Sequence, residues 1–393
     1  MVKITYCSGT YPVGLGESVD VFGKILSVCS PWRLASKKTS FLGRGSYGAV
    51  HEVVLRKGRG APKKVALKVV RMGKKGGPNT EKIKSETIAE IEYGRKMSSA
   101  NIGPKIYDAF IYTEKNPNFV QFSFMSERGI FEYGFIIMEK FQGSGSQFLW
   151  DERKVAKKRW GRYITPRAQE IVIKKMMALT RRMVSKNLYC WDIKPGNFVV
   201  NFKGAHAFHV RMIDFGGQFC VFGVKERDHY LRQLRRSSKK LSTITIPQFN
   251  ELFYCLIMIP FLIILNNLIA HRQVENSADI RGAREHKRAV PRPYVPFDLH
   301  AVALPLMKTI CNQEKRSGMI ELLKSNSVIF KTFYHYTRDG AAVGWLLNSK
   351  GFMPFEPPPL KMVGLYFNSR VDQLCDDLKH LPTRSSRKTR KRR

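Results

Sequence analysis

Between residues 41 and 72 apolar and polar positions alternate in short runs, and the breaks between the runs are rich in glycine or lysine. A period of two marks a strand with one buried face. The segment therefore predicts strand, glycine turn, strand, basic turn (Lys57 to Lys64), strand. Gly73, Gly76, Gly77 and Pro78 then break the chain. Over 81–97 the spacing becomes helical, with Ile83, Ile88, Ile91 and Met97 compatible with one apolar side. Strand-like runs follow near 119–125 and 133–139. Pro166 opens a predicted helix over about 167–186, with Ile171, Val172, Met176, Leu179 and Met183 on its buried side. Short strands are predicted at 198–200 and 209–213, an apolar helix at 249–268, and more helix over 299–325. Residues 1–38 are weakly patterned and read as an extra strand or a peripheral arm.

The chain has 393 residues, enough for one large two-lobed domain or two ordinary ones. Hydrophobic residues make up 43%, which allows a core and argues against a disordered chain. Lys and Arg outnumber Asp and Glu by 68 to 31, a formal charge of +37. That bias speaks to partners (nucleic acid, acidic proteins, anionic membrane) and not to fold. The excess collects at Arg153–Arg162, Arg232–Lys240 and Arg384–Arg393. The last of these reads as a disordered tail of nuclear-localisation type. Few aromatics (Trp160, Tyr163) are interleaved with the runs, so a stacking platform for single strands is poorly supported. The seven cysteines are scattered, with no CxxC pair and no zinc spacing, and predict reduced thiols in a cytosolic or nuclear setting. No secretory signal is read at the start. The 14-residue apolar run Leu252–Leu265 contains Pro260 and is shorter than the roughly 20 residues a spanning helix needs. A buried core helix is expected there, and no transmembrane segment.

Four motifs carry chemistry. Gly43-Arg44-Gly45-Ser46-Tyr47-Gly48, with Val50 behind it, joins two strands. Glycines there let backbone N–H groups approach phosphate oxygens. Val65-Ala66-Leu67-Lys68 places an ammonium on a buried strand, which needs phosphates and a carboxylate to offset its burial. Glu86, Glu90 and Glu92 on the next helix are candidates for that carboxylate. Glu90 is preferred, because it lies twelve residues before Ile102 of the Ile-Gly-Pro-Lys-Ile-Tyr-Asp segment. Residues 189–200 contain Asp192, Lys194 and Asn197, and Met212-Ile213-Asp214-Phe215-Gly216 follows.

In this order, the four resemble the glycine loop, strand lysine, catalytic loop and metal-binding turn of the eukaryotic-type protein kinases. The resemblance runs from about Phe41 to at least Leu268. Asp-Ile-Lys-Pro-Gly-Asn-Phe at 192–198, Tyr93, and Ile102 to Ile106 are most similar to casein kinase one and the vaccinia-related kinases. The implied fold is α+β and bilobal: a small, mainly antiparallel β N-lobe with one key helix, and a larger, mainly helical C-lobe. The implied division is an extension (1–38), N-lobe (39–141), C-lobe (142–375, divergent after 217) and basic tail (376–393).

The resemblance further implies Asp192 as the base that orients the substrate hydroxyl, with Lys194 and Lys68 offsetting phosphoryl charge. It implies Mg²⁺ on Asn197 and Asp214, and ATP phosphates at Gly43, Gly45, Ser46, Tyr47 and Gly48. Met138 falls at the gatekeeper position, backbone groups of Glu139 and Phe141 contact adenine, and Val50, Ala66 and Val199 sandwich its ring. The expected activity is transfer of the γ-phosphoryl group of ATP to Ser or Thr of a protein, with acidic proteins favoured by the charge. Two departures stand out. Cys190-Trp191 replaces the usual His-Arg, so no phosphorylation of the activation segment is expected to be needed. No Ala-Pro-Glu closes that segment, which leaves 217–248 without an alignment. The alternatives are a nucleotide-binding pseudokinase and a basic, nucleic-acid-associated virion protein. Lys194 and Pro195 disfavour a small-molecule phosphotransferase. The style of divergence suggests a large DNA virus, and hence the cytoplasm or nucleus of its host, or the virion.

Overall fold

A computed structural model describes residues 4–9, 19–44, 48–77, 79–114, 120–122, 125–127, 130–150, 153–161, 164–202, 207–216, 219–237, 239–285, 297–338 and 357–380. Gly45, Ser46 and Tyr47 of the glycine turn lie outside the described residues. So do residues 1–3 and 10–18 of the extension, Arg162, Tyr163 and the tail Arg384–Arg393. The chain is mixed α+β and divides into two compact units, Met1–Phe141 with Met212–Gln218, and Gln142–Arg211 with Phe219–Arg393.

The first unit is built on a six-stranded sheet. Its strands are β1 (Thr5–Gly9), β2 (Trp32–Arg44), β3 (Gly48–Lys57), β4 (Lys63–Lys74), β5 (Ile106–Glu114) and β8 (Phe131–Glu139), in the order β1-β5-β8-β4-β3-β2. β6 (Val120–Phe122) and β7 (Met125–Glu127) form a separate hairpin. β1 pairs parallel to β5, and the other pairings in the large sheet are antiparallel. Alternation along β4 sorts side chains to two faces. Val65, Leu67 and Val69 join a core with Phe22, Ile25 and Leu26 of α1 (Val19–Cys29) and Phe135 and Ile137 of β8. Each such fully buried apolar side chain is worth about 1.5–3 kcal/mol. On the other face Ala66 is opposite Met138 and Lys68 opposite Ile136. There α2 (Thr80–Ser99) packs Ile91 against Ala109 and Ile136.

Of the two expectations for residues 1–38 the extra strand is observed, as β1, and residues 19–38 also belong to the sheet unit, with β2 running through residue 38. The signal was present in Phe22, Ile25, Leu26 and Cys29, at helical spacing with one buried face.

The second unit begins with β9 (Gly143–Ser144), α3 (Gly145–Trp150), α4 (Arg153–Trp160) and α5 (Pro166–Ser185). Thr165 caps α5 by accepting from the Ala168 N–H, and Pro166 fits the first turn, where its missing N–H costs nothing. The buried stripe of α5 is Val172, Ile173, Met176, Met177, Thr180 and Met183, rotated from the expected one so that Ile171 and Leu179 are only half-buried. Short strands β10 (Leu188–Cys190), β11 (Phe198–Phe202), β12 (Phe208–Met212) and β13 (Cys220–Phe222) surround the loop at 191–197. α6 (Val224–Ser237), α7 (Ile246–Glu285), α8 (Leu299–Ile310), α9 (Gln313–Ser325), α10 (Ser327–Thr337) and α11 (Val363–His380) follow.

α7 is much longer than the expected apolar helix. Among the described residues one helical stretch, 246–270, is long and apolar enough to cross a membrane, and 83% of its most apolar window is buried within the protein. Phe249, Phe253, Phe261 and Leu265 are fully covered, the position of a central core helix.

The expectation of reduced thiols is corrected. Cys7–Cys29, Cys190–Cys220 and Cys311–Cys375 are disulfides. Their separations of 22, 30 and 64 residues form no motif. Pairing depends on Cα distances that only the fold sets. Cys255 keeps a free thiol, and burial pushes its pKa up to about 12. Thiol titration of the denatured, unreduced protein is expected to find one thiol per chain, and titration of the native protein none. Seven thiols on denaturation would contradict the pairing.

Candidate functional site

In the first unit the predicted residues gather on the face of the sheet opposite α1. Val50 is opposite Lys68 across β3 and β4, and Ala66 lies two residues along on the same face. Met138 is opposite Ala66, so Val50, Ala66, Lys68 and Met138 form one continuous patch. Lys68 Nζ meets Glu90 Oε1 at 2.5 Å, with side-chain exposures of 20% and 17%. Of the three candidate acids on α2, Glu90 is the lysine's partner. Burial alone would depress the lysine's pKa. The nearby carboxylates of Glu90 and Asp214 outweigh that effect and raise it.

Asp214 arrives from far along the chain. The Met212 N–H donates to Ile102 O at 2.9 Å, which anchors the turn. Asp214 is exposed and sits at φ 66°, the left-handed region, at a cost of about 1–2 kcal/mol for a residue with a Cβ. Phe215 is buried against Gly103, where an added Cβ would lie 2.9 Å from the ring. Gly216 passes Glu90 so closely that a Cβ there would sit 2.9 Å from the Glu90 Cβ. Glycine is also required at Gly48, where a Cβ would meet Val69 O at 2.1 Å, whereas Gly43 has open space above it. The Glu139 N–H donates to Lys105 O at 2.8 Å. Phe141, at the end of this unit, is buried.

In the second unit the loop after β10 is tightly held. Asp192 is only 8% exposed. Lys194 Nζ lies 3.0 Å from Asp192 Oδ2. Asn197 Nδ2 donates to the Asp192 carbonyl at 2.8 Å and to Oδ2 at 3.0 Å. A single helical turn, Pro195–Asn197, sets that reach, and α3 packs so close that a Cβ on Gly145 would lie 2.5 Å from Pro195 O. The Cys190–Cys220 disulfide and a bond from the Trp191 N–H to Phe219 O clamp the approach to Asp192. Val199 lies on β11 opposite Ser144 and is half-buried.

Two residues of α10 were missed from the sequence. The Tyr336 hydroxyl donates to Asp192 Oδ1 and accepts from Lys194 Nζ at 3.1 Å. His335 beside it has a lowered pKa, through burial first and then the cations of Arg338 and Lys194, against the opposing pull of Asp192. No spacing or motif marks either residue.

Among the described residues there is no cluster of three or more His, Cys, Asp or Glu side chains suited to a metal. No protein-family model matches the chain, and no curated protein matches it either.

The Lys68–Glu90 pair generates a pH-resolved prediction. Lys68→Met strands a mostly buried carboxylate and is expected to cost about 2 kcal/mol at pH 7, read by urea unfolding. A raised folded-state pKa means that the lysine's contribution is complete below its ordinary 10.5 and is lost as pH rises through the higher folded value. The stability gap between wild type and variant therefore holds steady from pH 7 to about 9 and closes only at higher pH. A gap that closes between pH 7 and 9 contradicts the pairing.

Proposed function

We propose that this chain is an ATP- and Mg²⁺-dependent protein kinase acting on Ser or Thr hydroxyls, with the sheet unit as the small lobe and the helical unit as the large lobe of a kinase-like fold. The observation that carries the reading is the gathering of Lys68, Glu90 and Asp214 in one unit. They come from a strand, a helix and a turn far apart in the sequence, and they share one electrostatic environment. A buried ammonium held by one carboxylate and facing another is suited to receive phosphates.

In this reading the patch of Val50, Ala66 and Met138 receives the adenine ring. Open space above Gly43 admits phosphate oxygens to the backbone. Lys68 neutralises phosphate charge and Glu90 fixes its direction. Asp192 orients the acceptor hydroxyl. That oxygen forms a bond to the γ-phosphorus as the bond to the β–γ bridging oxygen of ATP breaks. The hydroxyl proton passes to Asp192, and ADP leaves. Lys194 offsets charge on the transferring group. The contribution is positioning and electrostatics, with no covalent intermediate on the protein.

The donor set suits a hard cation. Asp214 offers an exposed carboxylate, and Asn197, whose amide nitrogen is committed to Asp192, offers an amide oxygen. Mg²⁺ held at oxygens of this kind would draw charge from the phosphates. Net charge of +37 steers acidic protein substrates to the surface.

Incubation with γ-labelled ATP, Mg²⁺ and casein is expected to label Ser or Thr. Asp192→Ala is expected to lower the rate by about a thousandfold while thermal stabilisation by Mg·ATP persists. An Asp192→Ala variant with normal turnover, or a wild type that neither transfers nor is stabilised, overturns the reading. Prior phosphatase treatment is expected to leave the rate unchanged, because Cys190 and Trp191 supply no basic partner for a phosphorylated segment. Lost activity would refute that point alone.

A further inference from the structure

We propose that Tyr336 is a positioning residue for the Asp192–Lys194 pair, its hydroxyl being the bridge that sets the direction of both charged groups. The role it would serve in phosphoryl transfer rests on the kinase reading, but the bridge itself does not.

A carboxylate and an ammonium two residues apart on a loop have no intrinsic reason to keep one geometry. Their burial makes geometry matter, since a buried ion pair is tolerated only when its remaining lone pairs and protons are met. Asp192 Oδ2 is met by Lys194 and by Asn197 Nδ2, both from the same loop. Oδ1 is met by Tyr336, which arrives 144 residues later in the chain. The same hydroxyl oxygen accepts from Lys194 Nζ at 3.1 Å. Donating one way and accepting the other, it closes a ring with the direct contact between Lys194 Nζ and Asp192 Oδ2. A phenylalanine would fill the same space, and only the hydroxyl makes the bridge.

The helix that presents this hydroxyl is itself held at several points. Asn326 caps α10, accepting from the N–H groups of Val328 and Ile329, and its amide nitrogen donates to Tyr230 on α6. Ile329, Phe330 and Phe333 are buried, and Tyr336 is 3% exposed. A loop stabilised only from within can shift as a body, whereas this one is referenced to a packed helix. Groups held within a fraction of an ångström by such outside support are what transfer chemistry requires.

Tyr336→Phe tests the bridge, with Tyr334→Phe, a tyrosine of the same helix that stacks on Tyr366, as control. The first readout is trace acylation of Lys194 in the native protein, measured by mass spectrometry. Labelling is expected to rise about fivefold in Tyr336→Phe, the factor that one lost hydrogen bond of ordinary strength corresponds to, and not in Tyr334→Phe. Unchanged labelling with an unchanged melting temperature overturns the proposal, whether or not the protein is a kinase. The second readout is transfer to casein. Tyr336→Phe is expected to lower kcat about tenfold with the KM for ATP unaltered. A faster Tyr336→Phe enzyme overturns the proposal too, since the hydroxyl would then be an obstacle to the acceptor. A wild type that transfers nothing, with raised Lys194 labelling in the variant, keeps the bridge and removes the kinase reading.

Discussion

A charged side chain taken out of water costs several kcal/mol unless an opposite charge and hydrogen bonds replace the water. The charged cluster in each unit is organised by that constraint. Lys68 is held on a buried strand because Glu90 reaches it from α2 and Asp214 adds charge from its turn. Asp192 is nearly covered, and lysine, asparagine and tyrosine side chains meet its two oxygens. Neither cluster is favoured as a source of stability, because well-packed apolar residues would serve the core at least as well. In the kinase reading proposed above, a cluster of this kind in each unit serves chemistry, as does the left-handed Asp214.

The large sheet divides its labour by face. The side toward α1 is apolar and continuous, with Phe22, Leu26, Leu67 and Phe135 among its fully covered residues. The opposite side carries Lys68 and the patch around Ala66 and Met138, with α2 packed beside it to deliver Glu90. A slip of one residue in β4 would exchange the faces, burying Lys68 among phenylalanines and turning Leu67 and Val69 to the side that faces α2. The apolar residues of α1 therefore do more than cover a sheet. They fix the register on which the placement of Lys68 depends.

What could be read in advance was local. Lys68, Asp192, Asn197 and Asp214 sit in short strings whose spacing reflects strand and turn geometry, and Glu90 was preferred for its place twelve residues before Ile102. The mixed α+β class was implied by the resemblance that these strings carry. What escaped depends on distance in the chain or on an overlooked signal. Tyr336 is 144 residues from its partner and has no motif of its own. The three disulfides close loops of unremarkable spacing. The buried face of α1 was legible at Phe22, Ile25, Leu26 and Cys29, but was obscured by the unpatterned residues before it. α7 outran its expected end at residue 268 because the polar stretch that follows the apolar run continues the helix to Glu285.

The bridge from Tyr336 to Asp192 also bears on how the chain is made. Synthesis proceeds at roughly 5–20 residues per second, so the helix carrying Tyr336 leaves the ribosome on the order of ten seconds after the loop it completes. Throughout that interval the loop has its sequence but lacks the hydroxyl that meets Asp192 Oδ1. A nascent chain halted before residue 336 would hold every short motif in finished form and still have an uncompleted pair of charges. In this protein, maturation of the loop is tied to the late arrival of α10.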